Sequence, residues 1–133
     1  MRIFLLFTFL TFSGFLSGQN LIGYKDFEIR KYMRENEGNM SFNKVNNDRF
    51  NYLKYTDNSE TQTLLFFLGT DSICKSIRII CDSVTKAEKI KEFNTNCKKN
   101  GENNWIDRKN GIDYLIEIKD EQWSSVITIK PLK

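Results

Sequence analysis

The period of apolar and polar positions changes several times along the chain, and each change marks an element. The sharpest signal is Leu64-Leu65-Phe66-Phe67-Leu68, ended by the turn formers Gly69-Thr70-Asp71-Ser72. Five apolar residues are too few for a helix, so the run reads as a strand, with its partner over residues 73–81. Successive strand side chains point to opposite faces. Leu64, Phe66 and Leu68 therefore share one side, and Leu65 and Phe67 the other. A strand that is apolar on both sides is either covered on both or leaves a binding patch on one.

Upstream, Ile29 and Met33 lie one turn apart and predict a helix over residues 25–36, stopped by Gly38-Asn39. Residues 39–48 are polar, rich in Asn, and read as a loop. A strand over residues 50–56 puts Leu53 and Tyr55 on one face and Phe50, Tyr52 and Lys54 on the other. Residues 57–60 make a turn. Downstream, Ser83 caps a helix over residues 84–100 with an apolar stripe of Ala87, Ile90, Phe93 and Cys97. A strand over residues 105–109 follows, then Asn110-Gly111 as a two-residue type I′ turn and a strictly alternating strand over residues 112–119. After a turn at 120–122, a last strand spans 123–130 and includes Trp123.

The order is helix, three strands, helix, three strands. It predicts an α+β fold: a tandem αβββ repeat over residues 22–82 and 83–131, with an antiparallel sheet of about six strands and two helices on one face. LFFLGTDSICKSIRI and IEIKDEQWSSVITI share the strand–turn–strand layout that suggests the repeat. Two helices cover one side of such a sheet. The other side is then open, and the residues expected to bind there are Leu53, Tyr55, Leu65 and Phe67.

The start of the chain adds a compartment. Met1-Arg2, an apolar stretch over residues 3–16 and Ser17-Gly18 have the layout of a secretory signal peptide over residues 1–18. About 15 apolar-biased residues fall short of the roughly 20 needed to span a bilayer, although an uncleaved anchor is the competing reading. Cleavage leaves one exported domain, residues 19–133, secreted or periplasmic. It has no second apolar stretch of membrane length, and so no stable membrane anchor. Without Arg2 the chain carries 19 basic and 17 acidic residues. That balance gives no electrostatic footprint for nucleic acid.

Export permits disulfides. Cys74 and Cys81 lie seven apart on one strand and point to opposite faces unless a bulge intervenes. Cys81–Cys97 is the pair that geometry favours, and unpaired packing of all three thiols stays open beside it. His is absent, which removes the commonest general base and the usual partner of a Ser or Cys nucleophile. No CxxC pair forms a closed zinc site, and Asp57-Asn58-Ser59-Glu60 lacks the twelve-residue calcium-loop pattern. No catalytic residue, cofactor or metal is therefore expected. Asp107 and Asp113 are the one carboxylate pair that could approach each other across strands, and a small hydrolase would have to rest on them.

Gly23 followed by Ile29 and Met33 on a short helix, and then an antiparallel meander, resembles two related families of exported bacterial proteins. These are the beta-lactamase inhibitory proteins and the small outer-membrane assembly lipoproteins. The resemblance implies that the apolar residues after the glycine pack the helix on the sheet. It also implies that the open sheet face, with its aromatics, binds a partner protein. One helix precedes the sheet here where those families have two, and no lipobox Cys is present. In length and composition the chain is also similar to small exported proteins of Bacteroidota. The function expected is a non-catalytic protein-binding or inhibitor-like module. The alternative is a structural or homodimeric envelope protein whose patch is sealed by a second copy.

Overall fold

The computed structural model describes residues 20–132, so the expected leader over residues 1–18 lies outside the described residues. In chain order the elements are α1 (Asp26–Asn36), β1 (Met40–Asn46), β2 (Asn51–Asp57), β3 (Gln62–Leu68) and β4 (Cys74–Cys81). There follow α2 (Ser83–Asn96), β5 (Lys98–Gly101), β6 (Asn104–Lys109), β7 (Ile112–Asp120) and β8 (Ser125–Pro131). The strands form one antiparallel sheet in the order β1-β2-β3-β4-β8-β7-β6-β5. The fold is α+β, with eight strands in place of the expected six. Each helix leads into a four-strand meander, and β4 and β8 pair in the middle of the sheet.

Both additional strands are edges. Residues 40–46 pair with β2 in seven consecutive positions where a loop was expected. At the other margin, α2 ends at Asn96, four residues earlier than expected. The chain then turns straight into β5, which pairs with β6.

Local chemistry fixes the helices. Ahead of α1, Gly23 takes φ +94°, a conformation open to few other residues, and the chain there runs antiparallel to the start of β4. Gly23 N–H donates to the Cys74 carbonyl and Cys74 N–H to the Tyr24 carbonyl, both at 2.9 Å. Glu28 then reaches back to accept from the Lys25 N–H at 2.8 Å, which satisfies one first-turn donor. The N-cap of α2 is Asp82, one residue before the expected Ser83; its carboxylate accepts from Thr85 N–H at 2.8 Å.

One face of the sheet carries both helices. Ile29 and Met33 of α1 and Phe93 of α2 join Leu53, Phe66, Ile77, Ile116 and Ile127 in a single buried cluster. Within the stripe expected for α2, Phe93 is buried, Ile90 and Cys97 pack partly against the cluster, and Ala87 is exposed.

The cysteines depart from the expected geometry. A bulge at Lys75 breaks the β3–β4 register, so Phe67 lies opposite Ser76 and Leu68 opposite Cys74. The extra residue puts Cys74 and Cys81 on the same, helix-covered face, and both are buried. The Cys81–Cys97 bridge does not form, and all three thiols are free. The reason is α2 itself. Its 14 residues separate the two cysteines, and at 1.5 Å per residue they span about 20 Å. A disulfide needs Cα atoms within about 7 Å.

Candidate functional site

The helix-free face follows from the register. Tyr52 pairs with Phe67 and Lys54 with Leu65, whereas Leu53 pairs with Phe66 and Tyr55 with Leu64. Directly paired residues share a face. Of the four residues expected to line the open face, Leu65 and Phe67 are on it and half-exposed. Leu53 and Tyr55 lie beneath α1, 0% and 5% exposed, and their positions on the face are taken by Tyr52 and Lys54.

Carried across the sheet, the ladder adds Ile80, Val126, Leu115 and Ile106 to the same side, each half-buried. These apolar side chains are interleaved with charge. Six basic residues point the same way: Lys54, Arg78, Lys98, Arg108, Lys119 and Lys130. Two acidic residues join them, Asp113 and Glu117. Arg108 pairs with Asp113 at 3.1 Å and Lys130 with Glu117 at 3.6 Å. The other four have no carboxylate within ion-pair distance among the described residues. The Arg78 guanidinium lies over the Phe67 ring at 5.3 Å, and Tyr52 tilts against the same ring at 5.3 Å. Arg78, Val126 and Lys130 were not singled out from sequence. The alternation of Ile112, Tyr114, Ile116 and Ile118 with Asp113, Leu115 and Glu117 contains the signal for the β7 residues.

Trp123 sits in the β7–β8 turn, outside β8, where the Glu121 N–H donates to the Ser124 carbonyl. It is 87% exposed, more than any other large apolar side chain among the described residues.

On the helix side, a cleft of about 260 Å³ opens between α1 and α2 over Ile116 and Ile129. Tyr24, Tyr32, Phe93 and Cys97 form its walls. The Lys109 ammonium donates to the Asn20 carbonyl and lies 4.9 Å from the Tyr24 ring. Asn20 Nδ2 donates to Asp107 at 2.9 Å. Burial, with help from the neighbouring Asp107 and Glu92, pushes the Cys97 thiol up to about 12. Burial likewise holds the Cys74 thiol at about 12 and that of Cys81 at about 11. A thiol in such surroundings is neutral near pH 7 and a poor nucleophile.

Asp107 and Asp113 do not meet. Asp107 pairs with Tyr114 on the helix side, and Asp113 pairs with Arg108 on the open side. Asp57 closes the β2–β3 turn: its carboxylate accepts from the amides of Thr61 at 2.8 Å and Gln62 at 3.1 Å, and from the Thr61 hydroxyl. No group of three or more metal-ligating side chains occurs among the described residues, and no described helix is long and apolar enough to cross a membrane.

No family model, no curated protein and no solved structure matches the chain.

Proposed function

We propose that this chain is a non-catalytic, exported protein-binding module that docks an acidic partner protein on its helix-free sheet face. The observation that carries the reading is the composition of that face. Leu65, Phe67, Ile80, Val126 and Leu115 offer apolar area, and Lys54, Arg78, Lys98 and Lys119 surround it without carboxylate partners. Apolar area supplies affinity, and uncompensated charge selects the partner and speeds encounter. The same excess of cations disfavours sealing the face with a second copy, because like charges would meet.

Two αββββ halves, each a helix followed by a meander, support the further reading that the fold is a duplicated unit. The resemblance to the inhibitor family, whose open face binds a protein, points to the same use of the face. In this reading the leader sends the chain to the periplasm or out of the cell.

The test is capture from an envelope extract with the full secreted chain as bait, repeated with Phe67→Glu and with Lys91→Glu on the outer side of α2. A stoichiometric partner that is lost with Phe67→Glu and kept with Lys91→Glu is expected. Capture that ignores Phe67→Glu while the variant stays folded defeats the reading.

A further inference from the structure

A second surface lies at the margin of the sheet, away from the helix-free face. The two edges differ. β5 has four residues, all exposed, with two lysines and a register break between Lys99 and Gly101. Short length, charge and a bulge are the features that keep an edge from pairing with another chain. β1 has none of the geometric ones. It has seven residues, no proline, and an unbroken register from Met40↔Asp57 to Asn46↔Asn51.

The hairpin fixes which backbone groups of β1 are spare. The Asn47 N–H donates to the Phe50 carbonyl at 2.8 Å, so Asn47 and Phe50 are a hydrogen-bonded pair. Such pairs alternate along an antiparallel ladder. Val45, Asn43 and Ser41 therefore bond to β2, and the N–H and C=O groups of Phe42, Lys44 and Asn46 point outward.

Beside those groups runs a groove of about 510 Å³, between the last turns of α1 and the β1–β2 hairpin. Met33, Met40, Phe42 and Tyr55 give it an apolar floor, and Phe42 is 44% exposed within it. Arg30 lies 5.7 Å from the Phe42 ring. Arg30 and Lys44 share a single carboxylate, Asp26, at 2.6 and 2.7 Å. Arg34 has no carboxylate partner among the described residues, and Glu37 is the one acid in the lining. The groove is left with more positive charge than it neutralises.

We propose that β1 accepts an extended segment of another protein as a ninth strand, with alternate side chains of that segment, acidic and apolar, entering the groove beside Arg34 and Phe42. Main-chain bonds to Phe42, Lys44 and Asn46 provide the affinity, and the groove provides the choice of sequence. A second copy pairing through β1 would bring the arginines of both copies together, and an acidic strand avoids that cost.

The probe is a displayed library of random peptides about twelve residues long, which is enough to cover one strand, selected on the full secreted chain. The enriched peptides are expected to lack proline and to place both acidic and apolar residues at every second position, the set that enters the groove, with the intervening positions unconstrained. Amide exchange should slow at Phe42, Lys44 and Asn46 when the best peptide binds. Two peptides methylated at the two alternate sets of backbone nitrogens should differ: blocking the set that faces β1 should weaken binding by about tenfold or more, since each of those amides makes a ladder bond, and blocking the other set should not. Arg34→Glu, an exposed change on α1, should weaken it by about tenfold through lost charge attraction, whereas Phe67→Glu should leave it unchanged. That last variant separates this inference from the docking face described above. Four outcomes overturn it: enrichment without acidic and apolar residues recurring at every second position, full binding by both methylated peptides, sensitivity to Phe67→Glu in place of Arg34→Glu, or protection of β1 amides in a dimer of the free chain.

Discussion

Phe66 and Phe67 are neighbours of identical chemistry on opposite sides of β3, and truncating each in turn weighs the two faces directly. Phe66 is 0% exposed, meets the Tyr55 ring edge-on at 6.0 Å, and sits between Leu53 and Ile77 in the ladder. Phe66→Ala removes a fully buried ring and leaves a cavity under α1, a change that costs about 3–5 kcal/mol. Phe67 is half-exposed and loses two specific contacts on truncation, with Tyr52 and with the Arg78 guanidinium. An exposed cation–π contact is worth about 0.5–1 kcal/mol, and an aromatic pair about the same again, so Phe67→Ala should cost about 1–2 kcal/mol.

Domains of this size are stable by only about 5–15 kcal/mol. At about 4 °C per kcal/mol, Phe66→Ala lowers Tm by roughly 12–20 °C, and Phe67→Ala by less than roughly 8 °C. Urea unfolding followed by far-UV circular dichroism reads both, and unchanged m-values show that the denatured states are comparable. Equal losses, or a larger loss at Phe67, would show that both faces are covered. The helix-free face would then have nothing to offer a partner.

The remaining predictions concern the turn, pH, the thiols and the tryptophans. Asp57→Ala strands the Thr61 and Gln62 amides and the Thr61 hydroxyl, and should cost about 1–3 kcal/mol in the same urea assay. Burial alone would raise the carboxyls of Asp57 and Asp26, but Thr61 and Gln62 in one case, and Lys44 and Arg30 in the other, hold both below the usual 3.8. Their contribution is therefore complete above pH 3.8 and is lost as pH falls through the lowered values. Acid titration of Asp57→Asn should show a shallower fall in Tm over that window than the parent chain; an identical fall would remove Asp57 from the account. With all three thiols pushed up to between about 11 and 12, the native protein should resist iodoacetamide at pH 8 and react only when unfolded, and fast labelling of Cys97 would contradict its burial. Trp105 is buried and donates its indole N–H to Asn94 at 2.9 Å, so Trp123→Phe should leave blue-shifted emission shielded from acrylamide, and Trp105→Phe red-shifted emission open to it.

What could be read from sequence followed the physics of burial. The interior strands alternate or run apolar because a helix lies over one side of them, so β3, β4, β7 and β8 were recognisable in outline, as was the Asn110-Gly111 turn, where both residues take positive φ. The open face was half legible. The alternation within Leu64–Leu68 puts Leu65 and Phe67 on the helix-free side, whereas Leu53 and Tyr55 lie beneath α1 and Tyr52 and Lys54 are the wetter pair on that strand. A slip of one residue between strands moves every side chain to the other face. Here the Asp57 carboxylate grips the β2–β3 turn between the two strands, a contact that only a structure displays. The Lys75 bulge reversed the cysteine geometry in the same way. β1 and β5 could not be read because an edge strand has water on one flank and little burial on either face, so no period is written into Met40-Ser41-Phe42-Asn43-Lys44-Val45-Asn46. The lack of period and the spare backbone groups have one cause, which is that nothing among the described residues packs beyond β1. A segment that looks like a loop in sequence and is a straight, unblunted strand in space is where an incoming chain can satisfy the bonds that its own fold leaves open.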